Sequence, residues 1–342
     1  MNKDKSINKD GTGAAENAEV QDDGDVDPDQ KKAAEKTDWI GEAKSIAVLL
    51  LAVLAFHSFI AKPFYIPSVS MAPNLMVGDR LIVSKYPYGW SWVSATFHIF
   101  PRVPGRIFGS MPKRGDIVIL TPKNQSTDYI KRVIGLPGDT FEMRNGQIYL
   151  NSVAIEREIQ PLLTFPVDKN EPCGTENGQY GGPIGIDGQI ISGEQGAQLC
   201  SVTIIRETLP NGVSYDTIEQ GTHGADNVDA LVVPAGHVYL LGDNRDQSAD
   251  SRADAASGGL GGPVPWENIG GRAEFITFSL DGTTGFNPMT WFSAFRSGRA
   301  GNSLRPDKAP VKSDNSAKQD KPNADIEGPA ADKDKEKPAA AK

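Results

Sequence analysis

Seventeen consecutive residues from Ser45 to Ala61 carry no formal charge, and nothing else in the chain constrains its fold as much. They read Ser-Ile-Ala-Val-Leu-Leu-Leu-Ala-Val-Leu-Ala-Phe-His-Ser-Phe-Ile-Ala. As a helix they are near the lower limit for crossing a bilayer, and Ile40 to Ala43 extend them, with Glu42 at the interface. The alternative, a buried core helix, needs something to pack against. Residues 1–38 are rich in Asp, Lys, Gly, Asn and Ala, and they bury too little to offset the entropy of ordering. A disordered tail followed by a transmembrane anchor over 39–61 is therefore expected. Lys31, Lys32, Lys36 and Lys44 precede the span, and Lys62 alone follows it closely. That asymmetry puts the N-terminus in the cytoplasm and the rest outside. A cleaved leader needs small residues at both positions of an Ala-x-Ala site, but Phe59 precedes Ala61 and Leu54 follows Ala52. The anchor is read as uncleaved.

Beyond the anchor the pattern is that of strands. Gly-Asp turns at 78–79, 115–116 and 138–139 lead into Arg80–Val83, Ile117–Leu120 and Thr140–Met143. A hairpin is expected around Asn151-Ser152, joining Gln147–Leu150 to Val153–Ile155. Val202–Ile205, Leu231–Val233, Val238–Leu241 and Ala273–Phe278 complete the set, and no helical period of useful length lies between Pro63 and Pro288. The expected fold class is mainly β. One antiparallel domain occupies 62–155 and 231–297, and a β-rich subdomain is inserted at 156–230, remote from any chemistry. A disordered tail is expected over 298–342. Two stretches suggest membrane contact: Trp90, Trp92, Val93, Phe97, Ile99 and Phe100 as an apolar surface on the bilayer, and Phe286–Phe295 as a short interfacial helix.

Composition narrows the function classes. A net charge of −9 with no basic stripe argues against nucleic acid as a partner. The four histidines form no metal-ligand spacing. Cys173 and Cys200 leave two buried thiols and a disulfide equally open; an external location for both motivates the disulfide.

Three stretches carry the chemistry. Ile66-Pro67-Ser68-Val69-Ser70-Met71-Ala72-Pro73-Asn74-Leu75 sets two serines at i and i+2, on one face of an extended segment. Asp128 to Asp139 places Lys131 inside an apolar strand, sharing a face with Tyr129 and Val133 while Arg132 takes the other. Gly242 to Arg252 (Gly-Asp-Asn-Arg-Asp-Gln-Ser-Ala-Asp-Ser-Arg) follows the apolar run His237–Leu241. A lysine serves a serine nucleophile as base only if its amine is neutral near pH 7, which needs its pKa lowered by about three units, or roughly 4 kcal/mol. Burial among apolar neighbours supplies such a shift.

In this order the three stretches resemble the bacterial type I signal peptidases, membrane serine proteases with a Ser-Lys dyad; the resemblance spans roughly Pro63 to Ser279, apart from the two insertions. It implies Ser70 as nucleophile and Lys131 as general base. Ser68 would donate to the oxyanion beside the Ser70 N–H, and Ser248 would hold the lysine amine. Asp243, Arg245, Asp250 and Arg252 would form a polar scaffold. The implied substrates are exported preproteins cut after Ala-x-Ala-type signal peptides, with Ile66, Pro67, Met71, Leu75, Tyr129 and Ile130 forming shallow apolar pockets. No cofactor is implied, and the partners are signal peptides and membrane lipid. The implied location is the bacterial inner membrane, single-pass, with the catalytic domain external. One position departs from the pattern: Val69 stands where glycine is common, and valine disfavours positive φ and narrows the space beside the substrate.

Rival readings fit less well. A repressor-type self-cleaving protease needs a DNA-binding helix-turn-helix, and the N-terminal part here is a tail and a span. Ser110-Met111-Pro112-Lys113 spells the S-x-x-K of penicillin-binding enzymes, but proline breaks the helix that site needs and no K-T-G exists. A non-catalytic membrane-anchored β scaffold that binds exported proteins is favoured by Val69 alone.

Overall fold

The structure is a computed structural model that describes residues 38–96, 101–123, 125–174, 185–285, 287 and 290–306. The expected N-terminal tail lies outside these residues except for Asp38, as do Phe97, Ile99, Phe100, Phe286 and the chain beyond Pro306.

Helix α1 runs Trp39–Phe59, so the helical span begins six residues before Ser45 and ends two before Ala61. Asp38 starts it: its side chain accepts from the Gly41 N–H at 3.0 Å, satisfying one of the donors that a helix N-terminus leaves free. Its length and apolar composition suffice to cross a membrane. At the other end Trp90 Nε1 donates to the Phe59 carbonyl at 2.9 Å.

The strands then follow in order. They are β1 (Ala61–Tyr65), β2 (Asp79–Ser84), β3 (Ile117–Leu120), β4 (Tyr129–Gly135), β5 (Thr140–Arg144), β6 (Gln147–Leu150) and β7 (Val153–Ala154). Next come β8 (Glu156–Pro166), β9 (Gln189–Ser192), β10 (Gln198–Thr208), β11 (Ser214–Ile218) and β12 (Val228–Val232). The last three are β13 (His237–Leu241), β14 (Val264–Pro265) and β15 (Ile269–Ser279). One seven-stranded sheet has the order β1-β2-β15-β3-β4-β13-β14, and the pairs within it are antiparallel. A second sheet runs β12-β5-β6-β7, and a third runs β11-β10-β8 with β9 also on β10. The mainly antiparallel β fold read from the sequence is the observed one. The Asn151-Ser152 turn is also present, with φ of 54° and 66°, the two positive values that a tight hairpin requires.

Several boundaries differ. Thr140–Ala154 leaves the large sheet and pairs with β12, so the segment drawn as part of the main domain builds its own small sheet with the exit of the insertion. The boundary at 230 cuts through β12. The tail does not begin at Gly298. Arg299 pairs with Asp79 at 2.5 Å, and the Leu304 N–H donates to the Glu274 carbonyl at 2.8 Å, so 298–306 packs on the large sheet. Composition turned polar there, but one anchored side chain and one main-chain bond outweigh it. Residues 291–294 form turns rather than the expected helix. Trp92 and Val93 are buried, so these two are core and not a bilayer surface. Nearby, Ile107 and Phe108 are exposed instead.

Candidate active site

The segment after β1 leaves the sheet and tightens into a 3-10 turn, Val69–Met71. It returns to β2 through Gly78, whose φ is +101°; a Cβ there would sit 2.1 Å from the Leu280 carbonyl, so only glycine fits. The turn holds Ser70 over β4. Lys131 Nζ donates to Ser70 Oγ at 3.0 Å, and Ser68 Oγ lies 3.4 Å from the same oxygen. The alternation of β4 does what the sequence implied: Lys131 faces Ser70, its amine 5.6 Å from the centre of the Tyr129 ring, while Arg132 points the other way. Lys131 is 3 % exposed. Burial lowers its pKa from 10.5 to about 8; Asp250 and Asp243 pull it back up, and Arg252 lowers it further.

A second buried lysine shows why geometry must accompany a shift. Burial, with Lys62 adding to it, brings Lys85 to about 8 as well. Its amine donates to the Ser94 carbonyl at 2.6 Å, and a carbonyl has no proton to give up. Of these two lysines, Lys131 is the one hydrogen-bonded to a serine hydroxyl.

The loop from Gly242 to Arg252 wraps Ser70. The Asn244 N–H donates to the Ser70 carbonyl at 3.2 Å, and the Gly242 N–H donates to Asp250 Oδ2 at 2.9 Å. Asp250 in turn holds Arg252 at 2.9 Å. Arg132 grips Asp243 with two bonds of 2.7 Å. A Cβ on Gly242 would lie 2.5 Å from the Ser70 carbonyl, so the loop approaches the turn more closely than any side chain allows. Ser248 does not hold the lysine: its buried Oγ has no hydrogen-bond partner among the described residues, and it rests against Gly242.

The expected pocket residues divide. Ile66, Met71, Leu75 and Ile130 belong to one buried cluster under the large sheet. Met71 and Leu75 are 0 % exposed, so these two form core rather than an open pocket. Pro67 is exposed and Tyr129 half-buried, with its hydroxyl on the Gly258 carbonyl at 2.9 Å. A cleft of about 1040 Å³ lies on the Arg132 side of β4, lined by Arg132, Asn74, Tyr215 and Arg299; neither Ser70 nor Lys131 reaches it.

The insertion is not remote. Asn74, four residues beyond Ser70, donates to the β11 carbonyl of Asp216 at 2.7 Å and to Asp243 Oδ2 at 2.8 Å. Ile218 of β11 bonds to both sides of Asn244: its N–H to the Asp243 carbonyl at 3.0 Å, and its carbonyl to the Arg245 N–H at 2.9 Å. Glu207 of β10 holds the Arg245 guanidinium at 2.8 and 2.5 Å and accepts from the Tyr215 hydroxyl at 2.9 Å. Glu207 and Tyr215 were missed in the sequence. Neither carried a readable signal: the charge next to the apolar run Val202–Ile205 is Arg206, which is exposed, and Glu207 follows it. Cys173 and Cys200 are disulfide-bonded, which decides between the two states the sequence left open.

With the geometry in place, comparison with known proteins is direct. The family described as signal peptidase, peptidase S26, matches residues 39–278. Signal peptidase I of Rickettsia canadensis is 37% identical over 249 residues, covering 70% of this chain and 79% of its own. That of Rickettsia bellii is 34% identical over 264 residues, covering 74% and 75%. A crystal structure of a signal peptidase I from Enterococcus faecalis aligns with 48% of this chain and 97% of its own at 23% identity, with a TM-score of 0.23, too low to bear on the fold.

Proposed function

The chain belongs to the signal peptidase family, peptidase S26, and from that premise we propose that it removes signal peptides from exported preproteins with Ser70 as nucleophile and neutral Lys131 as general base. The observation that carries this is the 3.0 Å bond between Lys131 Nζ and Ser70 Oγ in a buried setting. Ser70 Oγ attacks the scissile carbonyl and passes its proton to Lys131 Nζ. The oxyanion takes hydrogen bonds from the Ser70 N–H and the Ser68 hydroxyl; one such donor is commonly worth about 10²–10³ in rate. The lysine ammonium then protonates the leaving amine, and the neutral amine that results activates the water that releases the acyl group.

An Ala-x-Ala-type site is the reading that the family membership supports. An extended substrate would add beside the strand leading to Ser70 through main-chain hydrogen bonds. Val69 was the one feature favouring a non-catalytic scaffold. It sits in a 3-10 turn without positive φ, and its side chain faces the insertion, so that reason lapses.

The test is incubation of the detergent-solubilised protein with a preprotein, with N-terminal sequencing of the product. Cleavage after a small-x-small site is expected, and Ser70→Ala should show none. Cleavage by folded Ser70→Ala would overturn the assignment.

Helix α1 is read as a single-pass anchor in the bacterial inner membrane with its N-terminus cytoplasmic, supported by the lysine asymmetry around it. Protease added to sealed spheroplasts should digest the chain beyond Lys62. Full protection of that part would reverse the orientation.

A further inference from the structure

The residue before Ser70 is buried. Val69 is 4 % exposed and belongs to one buried cluster that joins Ala72, Met76 and Val77 of its own segment to Phe165, Ile186 and Val202 of the insertion and to both cysteines. A β-branched side chain is stiff at χ1, so a valine seated in a packed cluster limits the backbone that carries it. The catalytic loop is tied to the same body. Asn244, whose N–H bonds the Ser70 carbonyl, gives its side-chain amide to Gln247 Oε1 at 2.9 Å. Gln247 donates to the Gly185 carbonyl at 2.9 Å and accepts from the Asp187 N–H at 3.0 Å. Between those two residues Ile186 bridges to Cys173, which is bonded to Cys200 in β10. Ser70 is thus referred to this linked body twice, through the side chain before it and through its own carbonyl. Lys131 comes from the large sheet. The 3.0 Å contact joins the two bodies.

We infer that Val69 is a positioning residue: the disulfide-linked end of the insertion holds it, and through it holds Ser70 in register with Lys131. This rests on Ser70 being the nucleophile. A glycine at 69, the residue common in the family, would empty the seat and free the backbone. Misplacement of a reacting atom by about 1 Å can cost about 10²-fold in rate, while substrate pockets elsewhere keep their shape.

The test uses the full-length protein in detergent with Val69→Gly, Val69→Ala, Val69→Ile, the Cys173→Ser/Cys200→Ser pair, and that pair combined with Val69→Gly. For each, kcat, KM and the folded fraction are measured on one preprotein. Val69→Gly should lose on the order of 10- to 100-fold in kcat at nearly unchanged KM while folded. Val69→Ala should fall between, and Val69→Ile should keep most of the parent kcat. The cysteine pair should lose kcat as well, and its loss should not add to that of Val69→Gly, because the two act through one contact. Parent-level kcat in folded Val69→Gly overturns the inference. So does a loss that merely follows the folded fraction, or one that adds fully to that of the cysteine pair. If Val69→Gly does not fold, Val69→Ala decides by the same criteria. Ser70→Ala run alongside separates the two assignments: cleavage by that variant removes the nucleophile itself, whereas a dead Ser70→Ala beside a fully active Val69→Gly removes only the role of Val69.

Discussion

A Lys131→Met protein folds, is more stable than its parent at neutral pH, and cleaves no preprotein. Burial lowers the lysine from 10.5 to about 8, so the folded state resists holding its proton. Between about pH 8 and 10.5 the unfolded chain binds a proton that the folded protein has released, and stability rises with pH across that window. Below it, the folded protein carries a buried ammonium at full cost, about 3 kcal/mol for a shift of this size. Methionine keeps an unbranched apolar stem and removes the charge. Its advantage should approach that figure at pH 7 and shrink to nothing above about pH 10.5. Activity of the parent runs the same way: it should rise with pH through about 8, since the neutral amine is the proposed base. Lys131→Arg stays charged and should be as inactive as Lys131→Met. The losses of Lys131→Met and Ser70→Ala should not add, because the pair acts as one unit. Urea unfolding at pH 7 and pH 10, with preprotein cleavage by each variant, checks all of this. Near-parent cleavage by folded Lys131→Met would end the dyad assignment.

Glu207→Gln should cost about 3–5 kcal/mol and take most of the activity with it. The side chains of Glu207 and Arg245 are both 0 % exposed, and two bonds of 2.8 and 2.5 Å join them. Burial alone would make the guanidinium easier to deprotonate; Glu207 outweighs it and holds Arg245 firmly charged. Glutamine leaves that charge buried without its hydrogen-bonded counterion. The damage reaches Ser70, because the Arg245 N–H is bonded to Ile218 and the adjacent Asn244 holds the Ser70 carbonyl. An exposed pair gives the contrast. Arg206–Asp216 lies on the surface at 2.8 Å, and Arg206→Gln should cost less than about 1 kcal/mol. Exchanging both buried partners for apolar residues, Glu207→Met with Arg245→Leu, should recover much of the stability without restoring full activity. Urea unfolding of the parent and these three variants measures it. A cost for Glu207→Gln no larger than that for Arg206→Gln would show that the buried pair does not hold the loop.

What could be read from the sequence was set by local rules. The apolar helix α1 follows from an uncharged run, the Asn151-Ser152 turn from two polar residues between short apolar runs, and the opposed faces of Lys131 and Arg132 from the two-residue period of a strand. These hold whatever the rest of the chain does. Tertiary structure decided what depends on distant partners. Residues 298–306 look like the start of a polar tail until Arg299 meets Asp79, some 220 positions earlier. Met71 and Leu75 look like pocket walls until the large sheet closes over them. The insertion looks like a surface elaboration until Glu207 and Ile218 meet the loop beside Ser70. Val69 read as a poor fit to a family pattern, because the pattern describes the turn alone. Its place was decided by side chains from β8 and β10, and no local rule brings those to residue 69. Strand alternation says which way a side chain points; only the pairing of distant strands says what it meets there.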